Sequence, residues 1–110
     1  MNYQRVEIII PLYDNDDKPF HYELNATTYE EIMDQFGGCT EDKSPLLGGW
    51  RSPATGKEYN DEVFSYWIIY HDNIANFHFL TEFKERLKDR YQQEEILMYS
   101  MTINSDSKLI

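Results

Sequence analysis

The chain has 110 residues, the size of one domain, and its hydrophobic (41%) and aromatic (15%) content supports a packed core and excludes intrinsic disorder. A single cysteine, Cys39, excludes a disulfide scaffold and any all-cysteine metal site. Acidic residues outnumber basic ones 20 to 10, and a formal net charge of -10 disfavours nonspecific contact with phosphate backbones.

Arg5 to Tyr13 is apolar and β-branched and predicts a strand. Its Ile8-Ile9-Ile10-Pro11-Leu12 run is too short for a signal-peptide core, and only Arg5 precedes it as a basic residue. No run approaches the roughly 18 apolar residues that span a bilayer. The expectation is a soluble cytoplasmic protein, since one unpaired cysteine fits a reducing compartment. Asp14-Asn15-Asp16-Asp17-Lys18-Pro19 is a solvated turn. It starts like a calcium loop, but Lys18 takes a ligand position and Pro19 stands where that loop needs glycine.

Phe20 to Leu24 alternates weakly and extends a hairpin. Thr27 and Thr28, each with a glutamate three residues on, predict a helix start by the capping-box pattern. Tyr29, Ile32, Met33 and Phe36 follow at helical spacing, and Gly37-Gly38 ends the helix. Cys39 to Arg51, interrupted by Pro45, Gly48 and Gly49, reads as a short or bulged edge strand in which Trp50 is buried. Ser52 to Lys57 is a turn. Glu62 to His71 is the strongest strand, apolar on both faces and therefore central and covered on both sides. Asp72-Asn73 caps a second helix over Ile74 to Gln92, with Phe77, Leu80, Leu87 and Tyr91 on one side. Ile96 to Ile103 is the last strand, and residues 105–110 form a loose tail beyond a single domain spanning 1–104.

The order β-α-β-β-α-β is the split βαβ, or ferredoxin-like, α+β plan: a four-stranded antiparallel sheet with two helices on one face. Phe64, Tyr66, Ile68 and Tyr70 share one side of the third strand, and Val63, Trp67 and Ile69 share the other. Leu97, Tyr99, Met101 and Ile103 likewise oppose Ile96 and Met98. Two helices cover one face, so the other presents a contiguous aromatic patch, on which Tyr66 and Tyr99 are placed.

The run Phe36-Gly37-Gly38-Cys39-Thr40, the step Gly48-Gly49-Trp50, then Gly56, Asp61 and Gln93-Glu94, resembles a pattern in small, largely uncharacterised bacterial proteins. Those carry a phenylalanine-glycine-glycine-x-threonine step, a glycine-tryptophan step and a late glutamine-glutamate. The resemblance covers most of the chain from Ile8 onward. It implies the ferredoxin-like fold and brings no assigned reaction.

Cys39 on a glycine turn could be a nucleophile with His71 or His21 as base, but a helix C-terminus disfavours a thiolate, and a lone cysteine usually packs as a small hydrophobe. His21, His71 and His78 lack short ligand spacing, so no metal is expected. Phosphate loops are absent, since Gly56-Lys57 is followed by Glu58. Arg51 after its glycine pair could grip an anion, although strand glycines more often ease the chain past a bulky neighbour. The residues singled out for ligand contact are Trp50, Arg51, Tyr66, Trp67, Tyr70 and His71, with no catalytic set and no cofactor.

The reading that follows is a non-catalytic interaction or regulatory protein, a homodimer or higher oligomer joined through its sheet face, binding neither nucleic acid nor membrane. Two alternatives stand beside it. One is a cofactor-independent small-molecule enzyme of the dimeric α/β-barrel type, by fold analogy. The other is an acidic decoy that occupies a basic nucleic-acid site on a protein partner.

Overall fold

The structure is a computed structural model that describes residues 2–103, with the backbone alone described at 44–47, 50 and 59. The tail expected at 105–110 and the burial expected of Trp50 fall outside what is described.

The elements are β1 (Tyr3–Pro11), α1 (Tyr22–Phe36), β2 (Thr40–Arg51), β3 (Glu58–His71), α2 (Ile74–Arg90) and β4 (Met98–Ile103). The sheet order is β2-β3-β1-β4, with every neighbouring pair antiparallel. This is the ferredoxin-like α+β plan that the element order predicts.

β1 shows how the core is chosen. Val6, Ile8 and Ile10 are almost wholly buried, while Arg5, Glu7 and Ile9 between them face the other way. Register carries that choice across the sheet, because Val6 lies opposite Ile68, Ile8 opposite Tyr66 and Ile10 opposite Phe64. The β3 row Phe64, Tyr66, Ile68 and Tyr70 is therefore the row beneath the helices, packed with Ile32, Leu80, Phe83 and Leu87. Ring contacts confirm the docking: Tyr29 of α1 lies 6.3 Å from Tyr66, and Phe36 lies 5.3 Å from Tyr70.

Several sequence expectations are corrected. Phe20–Leu24 does not extend a hairpin. A single bridge joins Tyr13 to Pro19, and α1 begins at Tyr22 with His21 as its N-cap. The Thr27/Thr28 capping pattern is thus internal to the helix. Thr28 is buried, and its hydroxyl bonds back to the Leu24 carbonyl at 2.9 Å. Leu24 packs against the core, which draws the preceding turn into the helix. β3 is not covered on both sides, because Ile69 on its second face stays 41% exposed. Nor does Phe77 join the buried stripe of α2: it is 64% exposed, whereas Leu80, Phe83, Leu87 and Tyr91 are buried.

The expected bulged edge strand is present. β2 lies at the sheet edge, and its pairing with β3 slips between Asp42 and Leu46. Beyond the Pro11–Val63 pair, β2 and β3 continue as a two-stranded arm to the Arg51–Glu58 pair. Ser52 to Lys57 closes it, with Gly56 at φ 73°, a left-handed conformation that disfavours a Cβ.

Candidate functional site

Among the described residues, no helix covers the second face of the sheet. Register lays out its side chains in rows: Trp67, Glu7 and Tyr99 in one, Ile69, Arg5 and Met101 in the next, and His71, Tyr3 and Ile103 beyond. Tyr99 is 42% exposed, Met101 49% and Leu97 61%. Arg5 and Glu7 sit at the centre on β1, joined at 3.1 Å. The Arg5 guanidinium also lies 4.7 Å from the Trp67 ring centre, within reach of a cation–π contact. The His71 ring lies tilted against Tyr3, with centres 4.5 Å apart. The face is thus an apolar and aromatic surface around a charge pair that is already matched internally. Arg5 and Glu7 escaped the sequence search for site residues. Their alternation with Val6 and Ile8 was the available signal.

The residues picked from the sequence divide between the two sides of the sheet. Trp67 and His71 lie on the open face. Tyr66 and Tyr70 lie beneath the helices, so Tyr66 and Tyr99 do not share a surface. The reason is the one-residue parity of a strand, which sends neighbours to opposite faces. Arg51 is on the arm, paired with Glu58 and not held open for an anion. The side chain of Trp50 is outside the described residues.

On the helix side, a cleft of about 730 Å³ opens between the first half of α1 and the start of β2. Tyr22, Asn25, Tyr29, Glu41, Phe64 and Tyr66 are among its walls. The Tyr66 hydroxyl points to the Asn25 carbonyl at 3.4 Å. Burial first, and then the Glu41 charge beside it, raise the Tyr66 phenol above its ordinary range. Cys39 also lines the cleft, and burial followed by Glu41 pushes its thiol up to about 11. Neither group supplies an anion near neutral pH. Apart from Tyr66 and Cys39, these wall residues escaped the sequence search, because they converge only when α1 docks on the β2 edge.

Behind the cleft, a polar chain ties the helices together. The Tyr91 hydroxyl donates to Asn25 Oδ1 at 2.6 Å and lies 2.9 Å from Thr28 Oγ1. Arg90 donates to Thr28 at 2.8 Å and to Glu31 at 2.7 Å. The remaining cations of α2 are also paired: Arg86 with Glu31, and Lys84 and Lys88 with Glu95. Among the described residues, no group of three His, Cys, Asp or Glu side chains could hold a metal ion. No helix among them is long and apolar enough to cross a membrane.

No family model matches the chain, and no curated protein matches it. Solved structures do. The divalent cation tolerance protein CutA1 of Thermus thermophilus superposes with a TM-score of 0.64 at 14% identity, over 97% of this chain and 89% of that one. A phage SAM lyase in complex with S-methyl-5'-thioadenosine gives 0.62 at 11% identity, over 96% and 91%. The Bacillus subtilis GlnK–ATP complex gives 0.53 at 14% identity, over 93% and 82%. The likeness is one of fold. It supports the ferredoxin-like architecture across nearly the whole chain and carries no residue from any of those proteins to this one.

Proposed function

We propose that the protein is a non-catalytic interaction or regulatory protein that acts as a homo-oligomer joined through the open face of its sheet. The observation that carries this reading is the face itself, where Trp67, Ile69, Tyr99 and Met101 surround the Arg5–Glu7 pair with no helix over them. Contiguous exposed apolar patches of this kind commonly mark an interaction surface. Burying several hundred Å² of it contributes roughly 25 cal/mol per Å². The Arg5–Glu7 pair lets charge enter the interface already neutralised.

In the cleft, burial and Glu41 push the Cys39 thiol up to about 11 and raise the Tyr66 phenol, so neither is an activated nucleophile, which supports the non-catalytic part of this reading. Nucleic acid is not a partner in this reading, because every cation of α2 is matched by a carboxylate and the chain carries a charge of -10. The single free cysteine suits a cytoplasmic setting. We also place the chain beside the small bacterial proteins with the phenylalanine-glycine-glycine step. Gly37 of that step sits at φ 75° as the left-handed cap of α1, where glycine is favoured in helices generally.

Light scattering on the purified chain tests the assembly. Ile69 and Met101 flank Arg5 on the open face, so a lysine at either site puts an unmatched cation into the proposed interface. The unsubstituted chain is expected to be oligomeric, and Ile69→Lys and Met101→Lys to be folded monomers. A strictly monomeric wild type at high concentration refutes the proposal.

A further inference from the structure

We infer that the cleft between α1 and β2 binds a small organic cation with an aromatic body, its ammonium head on Glu41 and its body against Tyr22 and Tyr29. This goes beyond the assembly proposed above and does not depend on it, since the cleft lies on the helix side of the sheet.

Size, walls and charge each point the same way. A volume of about 730 Å³ lies within the range of small-molecule pockets. Of the four aromatic wall residues, Phe64 and Tyr66 are buried beneath it, while Tyr22 and Tyr29 keep ring surface exposed, and aromatic ring faces attract cations as well as apolar groups. Among the described lining residues Glu41 is the only carboxylate, and its side chain is 27% exposed. Its cationic neighbour is Lys43, a side chain 78% exposed whose nitrogen stands 3.7 Å away, too far for a strong hydrogen bond. Lys43 is therefore a loose stand-in for a better placed ammonium group. The net charge of -10 concentrates cations near the surface and repels an anion of the same shape.

Calorimetric titration of the full chain with phenethylamine tests the inference, with phenylacetate as the anionic counterpart of similar size. Saturable binding of phenethylamine, and none of phenylacetate, is expected. Glu41→Gln should weaken binding about tenfold through loss of a charge-assisted hydrogen bond. Lys43→Ala should tighten binding severalfold, because Glu41 no longer shares its charge. Both residues lie on an edge strand and are partly exposed, and thermal melts verify that the variants fold. Should Glu41→Gln fail to fold, the sign of the Lys43→Ala effect decides alone. Backbone amide shifts are expected at Asn25, Tyr29 and Glu41. The inference is overturned by absent saturation at millimolar phenethylamine, by equal binding of phenylacetate, by affinity indifferent to both substitutions, or by shifts centred on Trp67 and Ile69.

Discussion

Glu31→Ala removes the residue that fastens α1 to α2. Glu31 Oε1 accepts from Arg90 at 2.7 Å, and Oε2 lies 3.5 Å from Arg86. The Arg90 side chain is 15% exposed and that of Glu31 29%, so the pair is mostly withdrawn from water. Without Glu31, the Arg90 guanidinium keeps Thr28 as a partner but loses its counter-charge. A hydrogen bond to a charged group contributes about 1.5–3 kcal/mol. Stranding a fully buried charge costs about 3–5 kcal/mol, and the residual exposure here lowers that figure. Oε2 accepts no hydrogen bond among the described residues, which reduces what the native pair contributes. The expected loss is about 2 kcal/mol, or roughly 10 °C in Tm for a domain of this size. Urea denaturation followed by circular dichroism measures it as a midpoint lowered by about 1 M at unchanged slope. Glu85→Ala is the control, because Glu85 pairs with Lys88 at 3.2 Å on the same helix but is 69% exposed. It should stay within about 0.5 kcal/mol of wild type. The reasoning fails if Glu31→Ala is equally mild.

Gly37→Ala should destabilise the fold by about 1 kcal/mol, because φ of 75° penalises a Cβ even though nothing lies within 4 Å of it. Gly38→Ala, with equally open space and no positive φ, should be close to neutral in the same melts. Alkylation of Cys39 should be slow at pH 8 compared with an ordinary thiol and accelerate until about pH 11, the value to which burial and Glu41 push it. A thiol already labelled fast at pH 8 contradicts this. Stability has a matching sign. The folded value lies above the reference of 9.0, so the contribution from Cys39 is complete below pH 9 and is lost as pH rises towards about 11. In Cys39→Ala, that part of the alkaline loss should vanish from pH-dependent urea midpoints.

Element types and their order were legible in the sequence, since the period-2 runs at Arg5–Tyr13 and Glu62–His71 and the helical spacing after Thr28 need only local sterics and patterning. The bulged β2 edge was legible too, from Pro45 and the paired glycines. The start of α1 was not. Thr28 satisfies a local capping pattern, but its hydroxyl is used inside the helix, and burial of Leu24 extends the helix back to Tyr22. The decisive ambiguity lay in β3, whose two faces are both apolar. A strand with Tyr66 and Tyr70 on one side and Trp67 and Ile69 on the other offers the helices two comparable surfaces. β1 breaks the tie, because Val6, Ile8 and Ile10 can be dried completely while Arg5 and Glu7 cannot, and register then carries that choice to every strand. The cleft required still more, since Tyr29 and Glu41 belong to different elements and meet only when α1 closes over the edge of the sheet. Local patterning determines which residues share a face. Only packing decides which face is buried, because that choice depends on the desolvation cost summed over strands far apart in the chain.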